Sequence, residues 1–477
     1  MPREWNKYAM MKYETLEDYV QRFRLTSFFN EHAGLLSFFY LQGQALVDYV
    51  RVPVWASALD SRVQVFWIQP TRTGKTIAWE FVGEVAELAG LDTEMFTSGT
   101  DSALIGSFDS IKNSDGSFEI TQNEGLLAGK KCLNFDEGSI LLQSNPKQFF
   151  SEVILYLQQA MNPVGSHSNT LTKHMKHGTI ETESRVSFWI TSFPPSGVKE
   201  YVLTKGLFQR VLLYVSPWSE DMRQRVSEQR MSGVYKDMVS GTASVQDIAD
   251  YFIRLKEKTR YRMLQLAKVP QAMWDDMTPD EQDACARSVM HEMFTVAPDF
   301  DVRLQSAVNE YYTLVRGMDP QLSNVVCSFI PNILNYTVLF ATHLAILDAM
   351  ENNSDDWEIN GDHVDMALEL IYDIYEQLVV WLESEVEVGA KAAEKAVKRK
   401  AWKDAFGSRK THDLGDVKGE GWVLKSDMLQ AYGSKQDRSQ PVVYNHYLAV
   451  GPKSATPMFK ETKVKGVPYV RWVGDNQ

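Results

Sequence analysis

The chain has 477 residues, 44% of them hydrophobic and 12% aromatic, which is enough for two to four domains with sizeable apolar cores. It contains no run of about 18 apolar residues, and its charged N-terminus lacks the apolar segment of a secretory signal, so we expect a cytoplasmic protein with no membrane contact. The three cysteines are scattered and form no CxxC pair, which argues for a reducing compartment and against a zinc ribbon.

The net charge of −13 is distributed unevenly along the chain. Residues 391–477 contain 17 Lys or Arg and 9 Asp or Glu, whereas the first 390 residues contain 32 basic and 53 acidic residues. A basic tail on an acidic body indicates either a local contact with nucleic acid or a solvated basic helix, and composition leaves both open.

Five segments follow one another along the chain. Residues 1–50 are predicted to be helical, and residues 51–216 alternate short β-rich runs with helices, the pattern of a parallel sheet covered on both faces. Apolar residues at three- and four-residue spacing predict helices throughout 217–388. Residues 389–418 have the composition of a basic linker. Residues 419–477 are predicted to form two helices and then two strands, the order of a winged helix-turn-helix, so the fold class is α/β with a helical region and a small terminal domain.

A phosphate-binding loop is predicted between the β-rich run VQVFWI and the helix that follows it. The loop ends in Thr73-Gly74-Lys75-Thr76, and this strand–loop–helix context lets backbone N–H groups bind phosphate. In this hypothesis Lys75 contacts the β- and γ-phosphates of ATP, and the Thr76 hydroxyl binds Mg²⁺. Gln69 stands where the motif has its first glycine, and Gly-Lys-Thr also occurs in ordinary loops.

A pair of carboxylates follows the next β-rich run, KCLNF, 60 residues after Thr76. Asp136 is expected to hold Mg²⁺, mostly through water, and Glu137 to orient and activate the attacking water, because phosphoryl transfer depends mainly on positioning and charge stabilisation. An acidic turn after a buried strand is the alternative. The presence of the phosphate loop at this separation favours the metal site.

Two further positions are candidates for contact with ATP. The β-rich run SRVSFWITS ends in Thr191-Ser192, which can sense the γ-phosphate or simply begin a turn before two prolines. Arg210 lies just before the apolar run VLLYV. In a ring of identical subunits such an arginine can reach the neighbour's ATP and stabilise the charge of the transition state. A surface ion pair is the alternative for Arg210.

In this order the segments of residues 63–216 resemble the AAA+ core of MCM-type replicative helicases, especially the shorter MCM-like helicases of phages and mobile elements. The stretch TSGTDSALIGSFDS is similar to the Thr-Ser-Gly stretch that follows the family's first helix. The run FDSIKNSDGSFEITQNEGLLAGKKCLNFDE is similar to the hairpin insert in helix 2 that leads into the carboxylate motif. The segment LTKHMKHGTIETESRVSFWITSFPP is similar to the basic pre-sensor hairpin and sensor strand, and LTKGLFQRVLLY to the arginine-finger segment. The resemblance covers about one third of the chain; the helical lid and the terminal winged helix match only in layout.

The resemblance implies two hairpins that line the ring channel and contact the nucleic-acid backbone. The first spans about residues 111–120, and the Asp-Gly pair at its tip is independently a signal for a hairpin turn. The second has four basic or titratable residues near its tip, which suit phosphate contact, although a solvated loop is the alternative. These residues are Lys173, His174, Lys176 and His177.

The chain departs from the family in several places. Phe193 stands where the sensor strand has asparagine, so Thr191 or Ser192 has to substitute for it. The helix SFIPNILNYTVLFATHL contains no second sensor arginine, and Arg303 and Arg316 are the nearest candidates. The zinc-bearing N-terminal collar is replaced by helical residues, and residues 217–300 have no counterpart that we can assign.

The terminal domain offers a second contact with nucleic acid. The segment RSQPVVYNHYLAV, with Arg438 at its start, is the candidate recognition helix, and the predicted strands carry Lys463 and Lys465 on a wing. Winged helices bind duplex DNA through the major groove and phosphate contacts, but they also bind proteins, and both remain open.

We therefore expect an ATP- and Mg²⁺-dependent DNA helicase or translocase of phage or mobile-element replication, working as a ring that we expect to be a hexamer. Each ATP site would combine Lys75, Thr76, Asp136 and Glu137 of one subunit with Arg210 of the next. A replication initiator or helicase loader that uses ATP for assembly is the first alternative. A catalytically inactive ring is the second, because of the departures in the loop and the sensor strand.

Overall fold

The chain forms two compact units, Met1–Val388 and Gly389–Gln477, in a computed structural model. The boundaries expected at residues 50 and 216 fall inside the first unit, so these segments share one apolar core. The structure describes residues 9–26, 30–54, 57–71, 73–96, 101–112, 118–142, 148–194, 198, 200–203, 206–216, 224, 241–318, 320–384, 399–414, 420–436, 439–448, 450–452 and 458–473.

The first unit contains helices and strands in alternation, followed by a helical region. Its helices are α1 Glu14–Arg24, α2 Glu31–Leu46, α3 Lys75–Leu88, α4 Asp101–Ile105, α5 Gln148–Ala160, α6 Glu200–Leu203, α7 Val245–Ala267, α8 Gln271–Asp275, α9 Pro279–Ser288, α10 Met290–Met293, α11 Asp299–Arg316, α12 Pro320–Glu351 and α13 Gly361–Ser384, with 3-10 turns at Ala9–Lys12 and Gly138–Leu142. Its strands are β1 Arg51–Val54, β2 Ser57–Asp60, β3 Val65–Ile68, β4 Thr93–Phe96, β5 Gly106–Lys112, β6 Phe118–Glu124, β7 Cys132–Phe135, β8 Thr170–Met175, β9 Gly178–Glu183, β10 Ser187–Ser192, β11 Leu212–Val215, β12 Thr295–Val296 and β13 Glu358–Ile359.

A five-stranded sheet forms the centre of the first unit, in the order β11-β3-β10-β7-β4 with every pair parallel. Every residue of β3, β7, β10 and β11 is buried, as expected for strands covered on both faces. This confirms the predicted α/β class and parallel sheet. The fifth strand, β4, was not predicted, because Glu94 and Met95 are exposed at the edge of the sheet and the strand has no continuous apolar run.

Helix α2 packs directly on the sheet and joins it to the helical region. The Tyr40 hydroxyl donates to the Ser187 carbonyl of β10 at 3.1 Å. On α12, Phe340 stacks on Phe39 with ring centroids 4.8 Å apart. The segment Leu322–Glu351 is, among the described residues, the one helix long and apolar enough to cross a membrane, but 78% of its apolar window is buried. It is therefore packed like the core helix of a folded protein, in contact with α2.

His343 of α12 makes the first unit sensitive to acid. Its side chain is buried, with Nε2 2.9 Å from the Ser61 carbonyl oxygen, and burial lowers its pKa from 6.5 to about 4. The unfolded chain therefore binds this proton before the folded chain does as the pH falls. We expect the free energy of unfolding to decrease between pH 6.5 and 4, with up to about 3 kcal/mol from this residue.

Thermal unfolding followed across this pH range measures the effect. His343→Gln keeps a donor for the Ser61 carbonyl but cannot take up the proton, so it should flatten part of the pH dependence. His167→Gln at an exposed position is the matched control and should leave the profile unchanged. An identical profile for both variants would rule out His343 as the source.

Two antiparallel hairpins extend from the first unit. The hairpin β5–β6 pairs Gly106 with Glu124 and Lys112 with Phe118, so its strands extend beyond the predicted residues 111–120. The predicted tip, residues 113–116, lies outside the described residues. The hairpin β8–β9 pairs Thr170 with Glu183 at its base. A Cβ atom on Gly178 would lie 3.0 Å from Phe108 Cζ, so the two hairpins contact each other where β9 begins.

The second unit has a separate apolar core. It consists of a helix over residues 399–407, then β14 Val423–Leu424, α14 Lys425–Gln436, α15 Gln440–Leu448, β15 Phe459–Val464 and β16 Val467–Trp472, with the strands in the order β14-β16-β15. Trp402 is fully buried and stacks on Tyr432 with centroids 3.7 Å apart. Residues 399–407, part of the basic linker predicted at 389–418, form a helix that contributes to this core.

Candidate nucleotide site

The candidate site lies at the carboxyl edge of the central sheet. Strands β3, β10 and β7 are neighbours and parallel, so the segments that follow them meet at one edge. Phe135 of β7 pairs with Ile190 of β10, which brings the next residues of both strands side by side. The Thr191 hydroxyl donates to Asp136 Oδ1 at 3.1 Å. The phosphate loop follows β3 at the same edge.

The loop turns into helix α3 at Gly74. This glycine has φ 91° and ψ 8°, a left-handed conformation that favours glycine, and α3 begins with Lys75. The first N–H groups of a helix have no partner within the helix and carry the positive end of its dipole, which favours an anion. Thr76 is exposed in this first turn, and Thr73 is buried with its hydroxyl donating to the Pro70 carbonyl at 2.6 Å. The predicted loop therefore ends at the N-terminus of a helix, a place where an anion is favoured.

The Lys75 amine is held inside the loop. Its Nζ donates to the carbonyl oxygens of Gln69 at 2.6 Å and Pro70 at 2.9 Å. Burial lowers the pKa of Lys75 to about 8, while the nearby Glu137 and Asp136 carboxylates oppose that effect. Near neutral pH the amine is mostly charged, and these two carbonyls take up two of its three N–H donors.

The lowered pKa of Lys75 predicts a pH dependence of ATP binding. Above pH 8 the amine loses its proton, and with it the attraction for phosphate oxygens. We expect the affinity for ATP to fall about tenfold between pH 7.5 and 9.5, measured by equilibrium binding of a fluorescent ATP analogue. Lys75→Arg keeps its charge over this range and should lose the dependence. An equal decline in both proteins would contradict the assignment.

Gln69 is a site residue whose role the sequence did not indicate. Its side chain is fully buried, and Oε1 accepts from Asn30 Nδ2 at 2.7 Å and from Trp67 Nε1 at 3.1 Å. Its Nε2 donates to the Thr73 carbonyl at 3.1 Å across the loop. Gln69, which replaces the glycine of the motif, thus connects the loop to the start of α2 by hydrogen bonds. Asn30 also caps α2, because its side chain accepts from the Ala33 N–H.

The turn after β7 exposes Glu137. Its φ of 64° is left-handed, a conformation that costs a non-glycine residue about 1–3 kcal/mol and is found at functional sites. Its Oε1 accepts from the Ser139 N–H at 3.3 Å. A Cβ atom on Gly138 would lie 2.4 Å from Ile190 Cγ2, so a glycine is required where the turn passes over β10. The exposed carboxylate is therefore placed beside Asp136 by a constrained backbone.

The two sensor candidates lie in different surroundings. Thr191 bonds to Asp136, as described above. The Ser192 hydroxyl donates to the carbonyl of Phe193 at 2.8 Å, and the Ser192 carbonyl accepts from the Gln69 N–H at 3.0 Å. Thr191 is thus joined to the acidic pair and Ser192 to the loop. Phe193, the next residue, is 38% exposed.

Arg210 lies away from this group. It precedes β11, whose parallel orientation puts that end at the amino edge of the sheet, opposite Lys75. Its Nε donates to Asn162 Oδ1 at 2.8 Å and its guanidinium NH1 group to the Gly206 carbonyl at 2.7 Å. The nucleotide site of a single chain therefore does not include Arg210.

The candidate DNA-binding residues fall in both units. His174, Lys176 and His177 are exposed at the tip of β8–β9, whereas Lys173 is half-buried and its amine donates to Ser102 Oγ at 3.1 Å. In the second unit Lys463 is exposed on β15, and Lys465 forms a two-residue turn with Gly466. Arg438 lies outside the described residues.

The structure thus groups Thr73, Gly74, Lys75, Thr76, Asp136, Glu137, Thr191 and Ser192 at one edge of the sheet. Within the part of the chain that the structure describes, no three His, Cys, Asp or Glu side chains could hold a metal ion by themselves. No protein-family model matches this chain, and no curated protein matches it either.

Proposed function

We propose that the chain is an ATP-hydrolysing DNA translocase or helicase of AAA+ type that works as a ring of identical subunits, which we expect to be a hexamer. The observation that supports it most is the division of the site. Lys75, the acidic pair and Thr191 lie at one edge of the sheet, and Arg210 lies at the other. A complete site then requires two subunits in contact. Cytoplasmic replication of phage or mobile-element type is part of the same proposal.

In this function the phosphates of ATP bind at the start of α3. The loop N–H groups and Lys75 neutralise their charge. Thr76 and Asp136 would supply oxygen ligands for Mg²⁺, an ion that usually keeps several waters and takes its other ligands from phosphate. Glu137, exposed beside Asp136, orients the attacking water, and Thr191 links the acidic pair to strand β10.

Arg210 acts on the ATP of the adjacent subunit. The geometry of the parallel sheet prevents it from serving its own site, and no carboxylate among the described residues pairs with it. A partly buried cationic group whose acceptors are uncharged is suited to the charge that develops on the transferred phosphoryl group. Burial also lowers the pKa of this guanidinium, which stays charged at neutral pH.

The two hairpins contact the nucleic-acid backbone. The exposed tip of β8–β9 carries Lys176 flanked by His174 and His177, and it touches the other hairpin at Phe108. The second unit has three helices and a three-stranded antiparallel sheet among its described residues, and it acts as a winged helix with Lys463 and Lys465 on its wing. Helices α11–α13 of the first unit form the lid. Phosphate contacts of this kind are electrostatic and weaken with salt.

ATP hydrolysis by the full chain, measured with and without single-stranded DNA, tests the proposal. We expect DNA to stimulate hydrolysis several-fold, and the protein to separate a forked duplex. The double substitution Lys176→Ala with His177→Ala should weaken DNA binding and remove the stimulation. Glu181→Ala, on the same hairpin and also exposed, is the control for charge removal. Hydrolysis that is indifferent to DNA would exclude the motor and favour a loader that uses ATP for assembly.

A further inference from the structure

Asn162 occupies a junction between the β8–β9 hairpin and Arg210. Its Oδ1 accepts from Arg210 Nε at 2.8 Å, and its Nδ2 donates to the Ser168 carbonyl at 2.8 Å. The same amide group therefore holds the arginine with one atom and the hairpin segment with the other. This side chain has no part in the nucleotide site described above.

At the hairpin, several hydrogen bonds connect the base of β8–β9 to Asn162. Ser168 and Asn169 lie directly before β8, and Asn169 Oδ1 accepts from the Ser184 N–H at 3.0 Å, directly after β9. Asn169 Nδ2 also donates to the Asn162 carbonyl at 2.8 Å. Both strands at the base of the hairpin thus reach Asn162, one directly and the other through Asn169. A tilt of the hairpin that displaces the Ser168 carbonyl also displaces the Asn162 amide that donates to it.

The backbone beneath Asn162 is fixed by a buried ion pair. Arg62 bonds to both carboxylate oxygens of Asp60, at 2.9 and 2.8 Å. Its NH1 group donates to three carbonyls, those of Ala160, Ser184 and Val186, and its NH2 group donates to the Asn162 carbonyl at 2.7 Å. With the main chain held in this way, the Asn162 amide is the part that can respond to the hairpin.

The arginine end is free to change position. The guanidinium has two acceptors, Asn162 Oδ1 and the Gly206 carbonyl, both uncharged. Beside it lies an open cavity of about 280 Å³, lined also by Asn335 and Tyr336. Both bonds run to uncharged oxygens, one of them on the Asn162 side chain, so a small displacement of Asn162 can redirect Arg210.

We propose that Asn162 is a positioning residue that links nucleic-acid engagement at the β8–β9 hairpin to the orientation of Arg210. The link rests on the proposed function, because it requires a hairpin that binds DNA and an arginine that acts on the neighbour's ATP. DNA at the hairpin tip displaces the Ser168 carbonyl, the Asn162 amide follows, and Arg210 turns toward the adjacent subunit. This gives a physical route by which DNA stimulates hydrolysis one subunit away.

The test compares the full-length wild-type protein with Asn162→Ala, Asn162→Asp and Asn335→Ala. Each is assayed for the ratio of hydrolysis with and without single-stranded DNA, for its dissociation constant for that DNA, and for its unfolding midpoint. We expect the ratio to fall to about one in Asn162→Ala, with the DNA dissociation constant within about twofold of wild type. Asn335→Ala removes the same kind of side chain from the same cavity and should keep the wild-type ratio.

Asn162→Asp separates transmission from simple support of Arg210. It keeps the volume of the side chain and the acceptor for Arg210, adds a charge that pairs with the guanidinium, and cannot donate to the Ser168 carbonyl. A ratio near one in this variant, with a wild-type rate in the absence of DNA and a wild-type unfolding midpoint, supports the link to the hairpin, because an ion pair that disabled Arg210 would lower the rate without DNA as well. A wild-type ratio in either Asn162 variant overturns the inference while the proposed function stands. Absence of stimulation in the wild-type protein overturns both.

Discussion

Replacing Glu137 by glutamine is expected to lower ATP hydrolysis by about 10²- to 10⁴-fold, the usual contribution of a general base, while ATP still binds. The carboxylate is exposed at the site and follows the strand that ends at Phe135. An amide of the same shape cannot accept a proton from the attacking water, but it keeps the left-handed turn and its packing. The rate of phosphate release and the dissociation constant for ATP, measured on the same preparation, separate the two effects.

Glu94→Gln is the matched control for this experiment. Glu94 is an exposed carboxylate on β4, the edge strand of the same sheet. The Glu94→Gln protein should hydrolyse ATP at the wild-type rate. Full activity of Glu137→Gln would remove Glu137 from the mechanism. Loss of ATP binding in that variant would show that the residue supports the site and does not act on water.

Restoring the glycine of the phosphate-loop motif with Gln69→Gly is expected to damage the protein. Asn30 keeps a second acceptor at Ser216, but the buried Trp67 N–H and the Thr73 carbonyl lose their partners. Each buried polar group left without a partner costs about 1–3 kcal/mol, so we expect the free energy of unfolding to drop by about 3 kcal/mol. We also expect ATP to bind about tenfold more weakly, because the loop is no longer held in place.

Chemical denaturation and ATP titration of two variants measure these effects. Gln69→Leu fills the space without hydrogen bonds, and it should reproduce most of the loss. A double-mutant cycle with Asn30→Ala should give a coupling energy above about 0.5 kcal/mol, since the two amides are in contact. Tighter ATP binding by Gln69→Gly at unchanged stability would show that the glutamine is only tolerated.

The local sequence was sufficient to predict those structural features that depend on residues close together along the chain. The buried strands β3, β7, β10 and β11 were predicted because each is a short run of mostly apolar residues. The start of α3 was indicated by Gly74-Lys75-Thr76, since only a few residues determine that turn. Strands that are parallel bring their following residues together, so the grouping of Asp136 with Thr191 followed from the strand assignments alone.

Features that depend on distant partners could not be predicted in this way. Gln69 appeared only as a departure from a motif, because its partner Asn30 lies 39 residues earlier and nothing near either residue indicates the contact. Lys173 was grouped with the hairpin tip on charge, but strand alternation turns it toward Ser102. Trp402 was assigned to a linker because basic residues dominate the composition around it. In the structure its buried side chain packs the helix over residues 399–407 into the core of the second unit.

The pairing of α2 with α12 determines when this chain can finish folding during its synthesis. Gln42 Nε2 donates to the carbonyl of His343, 301 residues further along, and 14 of the 16 residues of α2 are buried in the finished protein. At a synthesis rate of about 5–20 residues per second, α2 leaves the ribosome about 15–60 s before α12 is made. During that interval its apolar surface lacks this partner, so we expect nascent chains to depend on chaperones and chains that stop before α12 to aggregate.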